Sequence, residues 1–129
     1  MLKLRLEQLT YRIREEADFI DWYVNDFMPD QLPEYHTLFD VDTLKEMTKN
    51  GRDQAIKYGF NQPMSHSHFI TLMWHIGADF YQQPGFKAIA ESNEPEAERI
   101  DAFYQLSDDL WDEAGEQADE RFWFREVTP

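Results

Sequence analysis

Residues 108 to 112 read DDLWD, a run whose carboxylates an α-helix would align. Asp108 and Asp112 are four apart and share a helix face, while Asp109 and Glu113 form the adjacent pair. Such spacing can hold Mg²⁺, because a hard cation takes several carboxylate oxygens. It can equally offer a negative surface to a positive partner. Positions 94 to 120 contain eleven acids against Arg99 alone. Like charges four apart disfavour a helix by about 0.2–0.5 kcal/mol per pair, a cost offset where a cationic surface docks. A merely solvated face is the other open reading. Asp101, Asp108, Asp112 and Glu116 recur at intervals of seven, four and four, which makes a stripe along one predicted helix. Asp109 and Glu113 widen it, and these six are the candidate partner-binding residues. If the stripe is only solvated, the contact falls to residues 29–42 or the aromatic tail.

The metal reading is the weaker one. Prenyl-transferring and terpene-forming enzymes hold magnesium on a DDxxD run, but they need a large cavity and a second acidic motif opposite. A chain of 129 residues leaves no room for that cavity. The histidines offer a second candidate. His66 and His68 are two apart and point to different sides of a helix, whereas His68 and His75 share a face with Asp79 four further on. A His68–His75–Asp79 site is conceivable. The plainer expectation is that both histidines flank a buried stripe, with His75 hydrogen-bonded to Asp79. No cysteine, GxSxG or glycine-rich phosphate loop is present, so neither a catalytic residue nor a cofactor is assigned.

Charge and composition narrow the partner. The formal net charge is −14, from 26 acidic and 12 basic residues, and both nucleic acid and anionic membranes would repel it. A basic partner, or high solubility alone, fits better. The N-terminal residues lack the continuous apolar core of a secretory signal, and no stretch approaches about 18 apolar residues. A cytoplasmic location is expected.

The elements that position these residues read as helices. Leu6, Leu9, Ile13, Ala17, Ile20, Val24 and Phe27 step by three or four, and Pro29 is expected to end that run. A turn-rich linker covers residues 29–42. Thr43 and Glu46 read as a capping box, with Asp42 as the alternative cap. Leu44, Met47, Gly51, Ala55 and Tyr58 share the next helix face, and Gly59 is a left-handed stop. The small residues Gly51 and Ala55 predict close approach by another helix. From Ser65 to Gln82, Phe69, Leu72, Met73, Ile76 and Phe80 form the most apolar stripe. Residues 86–92 give a short helix, and Pro95 takes a first helical position. In the last long helix Ile100, Phe103, Leu106, Leu110, Trp111 and Ala114 face inward. The tail packs back through Phe122 or Trp123. The aromatic share, 16%, supplies a large burial per residue. Together these features predict a single domain over residues 1–129, an all-α compact bundle of about five helices.

Residues 44–106 also resemble an uncharacterised family of small bacterial helical proteins. The matching runs are LKEMTKNGRDQAIKYGF, HFITLMWHIGADFYQQPGF and ERIDAFYQL. Tyr58-Gly59, Gly77 to Phe80, Pro84 and Arg99-Ile100-Asp101 carry the likeness. Members of that family often lie in gene clusters for type VI secretion effectors, so the resemblance implies a toxin or effector as partner. It carries over no active site, and the acidic stretch beyond Leu106 lies outside it. The expectation is a non-enzymatic immunity protein, with an effector chaperone or a small metal-dependent enzyme on DDLWD as alternatives.

Overall fold

The structure, a computed structural model, describes residues 12–124. Among these the fold is all-α and contains no strand. The helices are α1 (Glu16–Trp22), α2 (Met28–Gln31), α3 (Pro33–His36), α4 (Val41–Lys57), α5 (Pro63–His75), α6 (Phe86–Ala90), α7 (Glu96–Gln105) and α8 (Asp108–Glu116). Five of them have seven residues or more, and short 3₁₀ turns at Phe80–Gln82 and Glu120–Trp123 complete the order.

The first described helix differs from the sequence expectation in two ways. The chain bends over residues 13–15, so α1 begins at Glu16; Leu6 and Leu9 lie outside the described residues. Pro29 does not end the run either. A π-helical turn at Tyr23–Phe27 joins α1 to α2, and Pro29 sits in the first turn of α2. Proline lacks an N–H for the carbonyl four residues back, and its ring crowds that group. Widening the preceding turn, so that the Met28 N–H reaches the Tyr23 carbonyl five back, accommodates both faults. The buried positions are Ile13, Phe19, Tyr23, Val24 and Met28, while Ala17 is exposed and Ile20 and Phe27 are half-buried.

Helix α4 starts one turn before the expected capping box. Asp40 is its N-cap, accepting the Thr43 N–H at 2.7 Å, which holds the Asp40 carboxyl below its ordinary pKa. The other end follows expectation. Gly59 has φ 87°, its N–H reaches the Ile56 carbonyl at 2.9 Å, and the Phe60 N–H reaches Ala55 at 3.0 Å. That pair of bonds is a Schellman motif. Gly51 lets α5 come close: a Cβ there would lie 3.0 Å from Ile70 Cγ1 and 3.1 Å from Met73 Sδ.

Helix α5 ends at His75 rather than continuing to residue 82. Phe69, Leu72, Met73, Ile76 and Phe80 are nevertheless all buried, as their spacing predicts. The stop follows from docking against the C-terminal turn. A Cβ on Gly77 would meet the Ala118 Cβ at 2.4 Å. Beside it, Asp79 accepts the Asp119 N–H at 3.0 Å and the Gln83 amide at 3.1 Å, and Glu120 accepts the Ala78 N–H at 2.9 Å. Trp123, whose carbonyl accepts from Asn50 at 2.7 Å, is buried against Trp74 at 4.5 Å between centroids.

Candidate interaction surface

The acidic segment is two helices, not one. Leu106 is extended (ψ 151°), and Ser107 caps α8 by accepting the Leu110 N–H at 3.3 Å. The expected stripe is therefore divided: Asp101 stands on α7, while Asp108, Asp112 and Glu116 stay on one face of α8 with Asp109 and Glu113 beside them. Pro95 is likewise the N-cap of α7 and not its first helical residue. The break has a local cause. Ser followed by two aspartates satisfies and electrostatically favours a helix start, worth about 1 kcal/mol for the cap. The indole N–H of Trp111 then turns back to the Phe103 carbonyl at 3.0 Å and satisfies the end of α7.

All six candidate residues are exposed. Three other acids of the segment are committed within the fold. Glu96 accepts the N–H groups of Asn61 and Gln62 at 3.0 and 2.9 Å, ahead of α5. Glu120 holds the Ala78 N–H, and Asp119 takes Arg121 in a two-pronged pair at 2.9 Å for each bond. The remaining eight acids point outward. Arg99 points inward: it is 6% exposed, donates to the carbonyls of Tyr58 (2.7 Å) and Ala90 (2.9 Å), and lies 4.1 Å from the Phe60 ring centroid. The only base of residues 94–120 is thus withdrawn from the surface. Crowding among the acids is visible at Glu98, whose carboxyl rises above its ordinary pKa through a hydrogen bond with Glu94. Helix α8 has no basic residue in its last turn, so its own last turn supplies no charge to offset Glu116 at the negative end of the helix dipole.

The histidines do not assemble as the sequence allowed. Asp79 is buried and engaged with Asp119 and Gln83, not with His75. His75 is exposed and packs edge-on to Tyr35, and His68 bonds the Tyr104 hydroxyl at 3.0 Å. His66 is buried, with Nε2 against the Phe60 carbonyl. Since a carbonyl only accepts, Nε2 carries the proton. Among the described residues no three His, Asp or Glu side chains gather in a metal-holding group, DDLWD included.

Sequence reasoning missed the aromatic side of this surface. Tyr104 is 43% exposed, and its ring lies 6.1 Å from that of Trp111. A single-helix reading put Trp111 wholly inward; the elbow at Ser107 leaves it half-buried. The two fallback stretches, residues 29–42 and the tail, meet on Trp74 through Tyr35 (5.2 Å), Phe39 (6.3 Å) and Trp123. Leu38, Phe39 and Val41 remain exposed beside them.

No helix among the described residues is long and apolar enough to cross a membrane. No protein-family model matches the chain, and no curated protein or solved structure matches it.

Proposed function

We propose that the protein is a non-enzymatic acidic binding protein that engages a basic bacterial toxin or effector, as a cytoplasmic immunity protein. The observation that carries this reading is the asymmetry of residues 94–120: eight acids face outward while Arg99 is buried. A surface of one sign raises the encounter rate with an oppositely charged partner and disfavours acidic ones. The resemblance of residues 44–106 to the secretion-associated family is what names the partner as an effector. The test is purification of the tagged protein from its native host, followed by expression of the co-purifying protein alone. Immunity requires that protein to be basic, toxic alone and silenced by co-expression with the native chain. A toxic partner that is delivered but not silenced identifies a chaperone. An acidic or harmless partner refutes the proposal.

A further inference from the structure

We infer that the elbow between α7 and α8 carries an aromatic seat, formed by Tyr104 and Trp111, for an arginine side chain of a basic protein partner. This rests on the binding role proposed above and names the contact at its centre. Both rings are held in place before any partner arrives. The Trp111 indole is tied to the Phe103 carbonyl at 3.0 Å and packs toward Phe86 at 6.4 Å between centroids. The Tyr104 hydroxyl is tied to His68 Nδ1 at 3.0 Å, and the His68 ring stands edge-on to it at 5.6 Å. Groups already ordered lose little conformational freedom on binding.

The charges around the rings select the occupant. Asp101 lies three residues before Tyr104 and Asp108 three before Trp111, so each carboxylate shares a helix face with one ring. Asp112 follows on α8, and all three carboxylates are exposed. Aromatic faces are themselves negative, so rings flanked by carboxylates repel an acidic segment and attract a cation. A guanidinium fits better than an ammonium, because it is planar, stacks on a ring and can bond a neighbouring carboxylate through two N–H groups. Tyrosine, tryptophan and arginine are also the residues that dominate binding energy at the centres of protein interfaces.

The test titrates the full chain with an octa-arginine peptide and with its octa-lysine counterpart. Octa-arginine should bind more tightly. Tyr104→Ala should weaken octa-arginine about fivefold, the size of one exposed cation–ring contact, and leave octa-lysine nearly unchanged. Tyr104→Phe keeps the ring but loses its tie to His68, so it should weaken octa-arginine less than Tyr104→Ala does. Trp111 is packed into the fold, so it is read without substitution: its indole N–H resonance should shift on adding octa-arginine. Unchanged octa-arginine affinity in Tyr104→Ala, equal weakening of both peptides, or a silent Trp111 resonance would each overturn the seat. The double variant Asp108→Lys, Asp112→Lys separates the two claims. If it weakens both peptides while Tyr104→Ala does nothing, the acidic surface stands and the seat falls. If Tyr104→Ala weakens octa-arginine and the charge reversal has no effect, the ring contact stands, while the selecting role given to Asp108 and Asp112 and the acidic surface both fall.

Discussion

Arg99 and His66 are polar side chains inside an aromatic core, and both can be tested one residue at a time. Arg99 satisfies two carbonyls that belong to different segments, Tyr58 beyond α4 and Ala90 at the end of α6. Arg99→Met keeps much of the stem over Phe60 but strips both carbonyls of their donor. Hydrogen bonds to a charged group contribute about 1.5–3 kcal/mol, so urea unfolding should show a loss of about 3 kcal/mol. An unchanged midpoint would mean that water replaces the guanidinium without cost. His66 gives a pH signature. Burial, opposed by its bond to Phe60, lowers its pKa below the ordinary 6.5. The folded state therefore binds the proton more weakly than the unfolded chain, and stability is lost as pH falls through about 6.5 towards the lowered value. The melting temperature should drop between about pH 7.5 and 5.5, above the range where most carboxylates titrate, and His66→Gln should reduce that drop, leaving the share of His68, whose pKa burial also lowers. A native profile already flat there contradicts the assignment. Neither role was legible in the sequence. Arg99 reads there as a lone countercharge in an acidic helix, and only the packing of α6, α7 and the Gly59 turn shows that it is consumed inside.

At the scale of elements, periodicity located the apolar faces better than it located the ends of helices. The Phe69–Phe80 stripe is buried in full, and Gly51 and Gly59 do what a small residue and a left-handed stop should. Periodicity runs straight through two ends, only the first of which is marked by another signal in the sequence. Ser107-Asp108-Asp109 is a cap followed by first-turn acids, and Gly77 lies where α5 must yield to the 117–120 turn. The first signal was present in the sequence and was outweighed by the apolar spacing across it. The second depends on a contact 41 residues away, which no local pattern contains. At Pro29 the difference has a third cause, the π-helical turn that absorbs the proline. Two variants follow from these contacts. Ser107→Ala should cost about 1 kcal/mol and loosen α8. Gly77→Ala should cost about 1–3 kcal/mol by overpacking against Ala118, and adding Ala118→Gly should recover most of it. If the double variant is no more stable than Gly77→Ala alone, the 2.4 Å approach is not the cause.

For the whole molecule the dominant quantity is the net charge of −14. Self-repulsion of that size weakens the compact state, and salt screens it over a Debye length of about 8 Å at physiological strength. Raising sodium chloride should increase the urea midpoint of the isolated protein; a fall would mean that attractive pairs such as Lys45–Asp21, at 3.0 Å, outweigh the repulsion. The same field is the basis of the binding proposal. The most direct test is the association rate with the partner purified from the native host, measured across ionic strength for the native chain and for Asp108→Lys, Asp112→Lys. Both substituted positions are exposed, so the core should survive, with the start of α8 weakened by a fraction of about 1 kcal/mol where Lys replaces Asp108 in its first turn. The native rate should fall steeply as salt rises, and the reversed variant should be much slower at low salt and nearly indifferent to it. Equal rates for the two proteins, with the same dependence on salt, would contradict it and move the contact to the exposed Leu38–Val41 side of the molecule.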